Sequence, residues 1–140
     1  CANAAVDALA GHYDQEARQQ GVAVEWKLEL PRLVPMPEAD LCTILGNLVE
    51  NSLHATQKLA PDQRQVRVMA RMITPAMMGI LVENRYDGVL KKQGGILHST
   101  KHEGRGVGLV SIETAVRKYH GNLTVEPENN IFRVNILLNL

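Results

Sequence analysis

Aromatic side chains are scarce in this sequence, at 4% of its 140 residues. The core must therefore be aliphatic, built from Leu, Val, Ile and Met. The formal net charge is +0, so no overall field draws the chain to nucleic acid or to a membrane surface. This length suits one domain that buries a substantial core.

Cysteine is also rare. Cys1 and Cys42 are the two present, and they show neither the spacing of a metal site nor a disulfide framework, which fits a reducing compartment. No apolar run approaches the length of a membrane span, and there is no signal peptide. The sequence opens at Cys1 within a predicted helix, and we expect it to be part of a longer protein.

The hydrophobic periodicity predicts three helices and five strands. The helices are expected at residues 1–20, 38–58 and 107–119, and the strands at 22–30, 65–72, 77–83, 122–126 and 131–138. The stretch 84–104 has no strong periodicity and is predicted to be a long loop, of the kind that forms a lid or a binding loop. We predict an α+β fold: a two-layer α/β sandwich whose mixed, mostly antiparallel sheet is covered by helices on one face.

The middle helix carries a polar stripe beside its apolar face. At about 100° per residue, Asn51, His54 and Lys58 align with Asn47, and Glu50 lies at the margin. Two amides one turn apart at the border of a buried face have two interpretations. They are boundary groups satisfied by hydrogen bonds, or they line a polar cleft where amide oxygens coordinate Mg²⁺ and amide nitrogens donate to phosphate.

Glycines stand where the last helix is predicted to begin, at Gly104, Gly106 and Gly108. Free backbone N–H groups and the positive end of the helix dipole bind phosphate well at such a point, although the same glycines also suit a flexible hinge. The pattern lacks the Gly-Lys-Ser/Thr of a Walker A loop, and Leu109 replaces the third glycine of the dinucleotide fingerprint. Combined with the asparagine helix, it indicates a nucleotide site.

These motifs resemble those of a known superfamily. LGNLVENSLHAT resembles the N-box and GRGVGL the G2 box of the GHKL ATPases, which include histidine kinases, DNA gyrase B, a heat-shock chaperone and the MutL repair proteins. The closest resemblance is to the ATP-binding catalytic domain of sensor histidine kinases. Among these kinases, the sequence resembles the subgroup of Agr-type quorum-sensing receptors, where the motifs ILGNL-x-x-N, VEN-x-x-DG and STK are typical. It spans about residues 3–138, so we expect 1–140 to be one catalytic domain with the Bergerat fold.

The resemblance implies a set of site residues. Asn51 matches the asparagine that ligates Mg²⁺, and Asn47 matches its companion one turn earlier. Gly106 and Gly108 match glycines that contact phosphate, with Gly104 at the hinge of the lid. The remaining nucleotide-contacting positions that it implies are His54, which replaces a common Lys, together with Thr100, Lys101, Val107 and Leu109.

The segment that contacts adenine departs from the family pattern. The usual Asp-x-Gly-x-Gly is replaced by LVENRYDG, which leaves Asn84 and Asp87 as candidate acceptors. Alignment favours Asn84, and a neutral acceptor makes a weaker hydrogen bond than a carboxylate does, so we expect modest nucleotide affinity. Glu50 matches the carboxylate that polarises water in the ATPases, and in a kinase its hydrolysis of ATP should be slow.

The resemblance predicts a histidine kinase that binds Mg-ATP and donates the γ-phosphate to a histidine on an upstream dimerisation domain. His12 lies in the domain's own first helix and is not expected to be the acceptor. The other expected partner is a response regulator reached through that upstream domain. Nucleic acid is not expected to bind. We expect this piece to be monomeric and cytoplasmic, within a parent anchored in the bacterial membrane. The alternatives are a degenerate interaction module and an anti-sigma-type serine kinase.

Overall fold

The computed structural model describes residues 1–88, 90–93, 96–99 and 103–140, with side chains described for 1–88 and 110–140. Within these residues, three α-helices lie against one face of a five-stranded sheet, and a two-stranded ribbon is separate from it. The predicted α+β sandwich is confirmed. The elements are α1 Ala4–Gln19, β1 Ala23–Glu29, α2 Glu38–Thr56, β2 Gln65–Thr74, β3 Met77–Arg85, β4 Leu90–Gln93, β5 Ile96–Ser99, α3 Glu103–Lys118, β6 Asn122–Glu128 and β7 Ile131–Asn139.

The sheet has the order β1-β2-β3-β7-β6, in which β1 runs parallel to β2 and every other neighbour is antiparallel. Alternate residues of the central strands are buried under the helices, as the two-residue period of a half-buried strand requires. This inner face and the helices form an aliphatic core. Its largest fully buried side chains include Leu41, Ile44, Leu45, Leu48, Leu53, Met78, Ile112, Ile136 and Leu138.

The outer face of the sheet carries a row of charged residues. One row across all five strands alternates in charge, in the order Glu25, Arg67, Glu83, Arg133 and Glu126. Its four ion pairs have N–O distances of 2.9, 3.6, 2.8 and 3.9 Å. Because such partly exposed pairs contribute little stability each, the row mainly keeps this face hydrated and confines the helices to the other one.

Local signals fix both ends of α1. Asn3 is the N-cap, and its side-chain oxygen accepts from the amide of Val6 at 3.1 Å. At the other end Gly21 takes φ +70°, and the amide of Val22 donates to the Ala17 carbonyl at 2.9 Å. A glycine in the left-handed region just after the last turn is a common helix end.

The end of α3 differs from that of α1. Gly121 follows the helix, but His120 is the residue with positive φ, at 50°. The Gly121 amide donates to the Val116 carbonyl at 3.0 Å. A β-carbon on Gly121 would lie 2.1 Å from the Leu137 carbonyl oxygen of β7. Close packing therefore requires glycine here, while His120 supplies the left-handed turn.

The predicted loop at 84–104 is wrong in part, because 90–93 and 96–99 form the antiparallel strands β4 and β5, whereas 86–88 are irregular as predicted. Four-residue strands are too short to show a clear alternation in sequence. Similarly, α3 begins at Glu103 rather than at the predicted residue 107. Its first turns are rich in glycine, which removes the hydrophobic periodicity without removing the helix.

Both cysteines, Cys1 and Cys42, are free thiols. Burial and the nearby Glu38 raise the pKa of Cys42, which makes its thiol less reactive. Among the described residues, no helix combines the length and the apolar character needed to cross a membrane.

Candidate functional site

The polar stripe of α2 lies at the margin of the core, as predicted. Asn47, Asn51 and His54 are all half-buried, and the side-chain nitrogen of Asn51 is buried completely. The apolar face next to them is packed inside, where Leu48 and Leu53 are 2% exposed. The helix therefore holds its amides between the core and an open side of the molecule.

One ion pair connects this stripe to the segment that follows β3. Lys58 Nζ lies 3.7 Å from Asp87 Oδ2, and the two side chains are 37% and 31% exposed. A pair this accessible adds well under about 1 kcal/mol of stability. The ion pair shows that the C-terminal end of α2 lies beside the end of β3.

Asn84 ends an apolar column on the inner face of β3. Met78, Ile80 and Val82 precede it at two-residue intervals, and all four residues are at most 4% exposed. The Asn84 side-chain nitrogen donates to the Arg85 carbonyl oxygen at 2.9 Å. A buried amide at the end of such a column is unusual for a strand and marks the place where the core meets the end of α2.

The two helices α2 and α3 pack together. Near the start of α2, Asp40 accepts hydrogen bonds from Lys118, at 3.0 Å, and from Tyr119, both at the end of α3. These bonds lower the pKa of Asp40, with Tyr119 as the main cause. The start of α2 therefore lies beside the end of α3.

Gly104, Gly106 and Gly108 lie in the first turns of α3. The predicted nucleotide-contacting residues Val107 and Leu109 lie in the same turns.

The family model described as "GHKL domain" matches residues 36–139 of the sequence, which include the stripe, Asn84 and the glycine-rich turns. The chain belongs to the GHKL domain family. A comparison with curated protein sequences found no significant match.

Solved structures show the same fold in histidine kinases. The catalytic domain of histidine kinase ThkA superposes with a TM-score of 0.74 at 14% identity, over 96% of this chain and 89% of that one. Mycobacterial sensor histidine kinase MprB superposes with a TM-score of 0.65 at 16% identity, over 96% of this chain and 95% of MprB. Full-length ShkA in complex with AMPPNP superposes with a TM-score of 0.66 at 17% identity, over 96% of this chain and 29% of ShkA.

In this GHKL domain, Glu50 faces helix α1. Its carboxylate accepts a hydrogen bond from the Tyr13 hydroxyl of α1 at 2.8 Å. The pKa of Tyr13 is raised mainly by burial and, to a smaller extent, by this hydrogen bond. Glu50 also lines a groove between α1 and α2 with Glu16 and Gln57, and the predicted site residue His54 lines the same groove. Glu50 therefore lies on the α1-facing side of α2 rather than with the asparagines.

Two predicted residues, Thr100 and Lys101, lie outside the described residues.

The structure also shows contacts that hold the segment after β3 and that the site prediction missed. In the turn between β6 and β7, the Asn130 carbonyl accepts from the Tyr86 amide at 3.0 Å. Tyr86 packs edge-to-face on Phe132 with ring centroids 5.7 Å apart. These contacts hold the segment that carries Asp87, and the Asn-Asn dipeptide at 129–130, with positive φ at both residues, was the available signal.

Proposed function

We propose that this GHKL domain binds Mg-ATP and donates the γ-phosphate to a histidine on another domain of its parent protein, as the catalytic domain of a sensor histidine kinase. One observation carries the proposal. The Lys58–Asp87 ion pair joins the segment that carries the polar stripe of α2 to the segment after β3, the strand in which Asn84 is buried. The membership of the GHKL family and the fold of histidine kinase catalytic domains support it.

The residues present fit a magnesium ion bound together with a nucleotide. Mg²⁺ is usually held by one or two protein ligands, several waters and the substrate's phosphates. No cluster of three or more His, Cys, Asp or Glu side chains in the described part of the chain suits a metal. The half-buried Asn51, with Asn47 one turn earlier, supplies the small set of oxygen ligands that such a site needs. When bound, the ion neutralises charge on the transferring phosphoryl group.

The start of α3 fits the phosphates. Its first backbone N–H groups have no partner within the helix, and the helix dipole favours an anion there. We assign this role to Gly104, Gly106 and Gly108, with Thr100 and Lys101 as candidates for further contacts in the preceding segment. Transfer then depends on positioning and electrostatics more than on proton transfer by the protein.

For the adenine contact we favour Asn84 over Asp87. Asn84 is 4% exposed, at the end of the apolar column of β3, where a flat base can be enclosed. Asp87 lies outside the column and is engaged with Lys58. His54, on the same stripe as Asn51, is assigned to the polar wall of the site.

The contact between Glu50 and Tyr13 supports transfer to protein over hydrolysis. A carboxylate that accepts a hydrogen bond on the α1-facing side of α2 is poorly placed to polarise a water at the stripe. We therefore expect slow ATP hydrolysis, with Glu50 as the residue to vary if hydrolysis is measured.

The partners follow from this function. We propose that an upstream dimerisation domain of the parent protein presents the acceptor histidine and passes the phosphoryl group to a response regulator. In this account the domain is cytoplasmic and monomeric in isolation, and its parent is anchored in the bacterial membrane.

Calorimetric titration with Mg-ADP tests the binding claim. The wild-type chain should bind only when Mg²⁺ is present, and Asn51→Ala should weaken binding by about 10- to 100-fold, the effect of losing one contact to a charged group. Asn135→Ala is the matched control, because this asparagine lies on the outer face and contacts Glu126 at 2.8 Å. Equal affinity in all three proteins would contradict the assignment of Asn51.

Phosphoryl transfer needs a separate test on the parent protein, with ATP labelled at the γ-phosphate. A label that is lost in acid and retained in base identifies phosphohistidine and supports the kinase. An acid-stable label on serine would instead support the anti-sigma-type alternative. A domain that binds no nucleotide would support the interaction module, the function to which the neutral residue at position 84 otherwise points.

A further inference from the structure

Tyr13 of α1 reaches the helix that carries the two asparagines. A β-carbon on Gly46 of α2 would lie 3.3 Å from the Tyr13 hydroxyl oxygen and 3.7 Å from its Cε2. The ring therefore lies against the backbone of α2, in room that only a glycine leaves free. The same hydroxyl donates to Glu50 Oε1 at 2.8 Å. Tyr13 thus contacts α2 at two positions one turn apart.

Both of these positions adjoin an asparagine of the polar stripe. Gly46 immediately precedes Asn47, and Glu50 immediately precedes Asn51. Residues four apart share one face of a helix, and successive residues are about 100° apart. The face that Tyr13 contacts is therefore the neighbour of the face that carries the two amides. Any rotation or shift of this turn of α2 would move both amides together.

The Tyr13 hydroxyl is suited to a permanent contact. Tyr13 is 9% exposed, and its burial, followed by the hydrogen bond with Glu50, raises its pKa above the ordinary value. The hydroxyl therefore keeps its proton at neutral pH and remains a donor. Glu50 is exposed, so its long side chain would lose its fixed orientation without this donor.

We propose that Tyr13 is a positioning residue of the nucleotide site. Its two contacts on α2 fix the turn that carries Asn47 and Asn51. This inference rests on the proposed function. Mg²⁺ demands a nearly ideal octahedral arrangement of its ligands, so a small displacement of an amide oxygen weakens the complex of ion and nucleotide. Tyr13 acts through α2 and touches neither the ion nor the nucleotide.

Tyr119 supplies a matched control on the same helix. Its hydroxyl donates to the carboxylate of Asp40, in the first turn of α2. Tyr119→Phe therefore removes the same kind of hydrogen bond from α2, but away from the turn with the asparagines. Comparison with Tyr13→Phe separates a general loss of stability from a loss of positioning.

The experiment measures the affinity for Mg-ADP by calorimetric titration and the stability of each protein by urea unfolding. Tyr13→Phe keeps the ring against α2 and removes only the hydroxyl. It should bind Mg-ADP about three- to tenfold more weakly than wild type, as expected of a residue that acts on a site through its neighbours, and should need more Mg²⁺ for half-maximal binding. Tyr119→Phe should stay within about twofold of wild type, although both variants should lose stability.

Two variants of Glu50 test whether the effect passes through the hydrogen bond. Glu50→Ala removes the acceptor and should weaken Mg-ADP binding about as much as Tyr13→Phe. The double variant should bind no more weakly than either single one, because both substitutions remove the same bond. Glu50→Gln keeps an acceptor oxygen for the hydroxyl, so its affinity should lie closer to wild type than that of Glu50→Ala.

The inference is overturned if Tyr13→Phe binds Mg-ADP as tightly as wild type, or if Tyr119→Phe weakens binding equally. It is also overturned if the losses from Tyr13→Phe and Glu50→Ala add in the double variant. If Tyr13→Phe does not fold, the two Glu50 variants decide, and equal affinity for Glu50→Ala and Glu50→Gln contradicts the inference. A wild-type chain that binds no nucleotide would overturn the proposed function itself.

Discussion

The substitution Gly121→Ala should destabilise the domain strongly. The added methyl group would lie 2.1 Å from the carbonyl oxygen of Leu137 and 3.1 Å from Val116 Cγ1. Leu137 pairs with Asn122 in the β6–β7 ladder, so its carbonyl cannot move alone. Relief requires either the end of α3 or the β7 strand to shift.

The expected loss can be worked out from two contributions. Overpacking a well-packed site costs about 1–3 kcal/mol, and a backbone contact at this distance belongs at the upper end. The substitution also stiffens the unfolded chain, which returns about 0.4–1 kcal/mol. The net loss is about 2–3 kcal/mol. With an unfolding entropy of about 2.1 cal/mol/K per residue, Tm should fall by about 7–10 °C.

Thermal and urea unfolding of Gly121→Ala beside Gly11→Ala measure this effect. Gly11 lies inside α1, and its β-carbon would meet nothing within 4 Å. The same substitution there should therefore stabilise the domain by about 0.5–1 kcal/mol through helix propensity. Opposite signs for the two variants support the packing argument. A Gly121→Ala protein as stable as wild type would refute it.

Two further predictions concern other contacts. The Arg64 guanidinium donates to the carbonyls of Gln20, at 2.8 Å, and Leu59, at 3.1 Å, beyond the ends of α1 and α2. Arg64→Met should cost about 2 kcal/mol, while Arg67→Met in the outer charged row should cost under about 1 kcal/mol; equal losses in urea unfolding would contradict this. Hydrogen bonds from Tyr119 and Lys118 lower the pKa of Asp40. Its contribution to stability is present above the unfolded pKa of about 4 and is lost as pH falls through the lower folded value. Asp40→Asn should therefore flatten the pH dependence of Tm below pH 4, and an unchanged profile would count against the contact.

Much of the fold could be predicted because its pattern is local. Helices α1 and α2 and the strands of the main sheet show clear periods, and their observed bounds lie close to the predicted ones. The parallel pairing of β1 with β2 is a long-range contact that no local pattern encodes. The contacts of Arg64 with the ends of two helices could not be predicted either. A single arginine in a polar loop is expected to be a solvated side chain unless the tertiary structure is known.

The candidate site was predicted in part for the same reason. The spacing of Asn47 and Asn51 on one helix and the glycines at the start of another are local signals. The direction of Glu50 depends on where α1 packs, and the sequence does not encode that locally. The orientation of Asn84 depends on one bond to its neighbour's carbonyl. The subgroup resemblance and the roles assigned to all the site residues, including Thr100 and Lys101, stay predictions.

Thermal unfolding with Mg-ADP, with and without a chelator, tests the central claim most directly. At a free ligand concentration near 100 times Kd, binding adds about 2.7 kcal/mol, so Tm should rise by about 5–10 °C. The account predicts a rise that disappears when the Mg²⁺ is removed and in Asn51→Ala. No rise at millimolar Mg-ADP in the wild-type chain would contradict the proposal that this end of the domain is a nucleotide site.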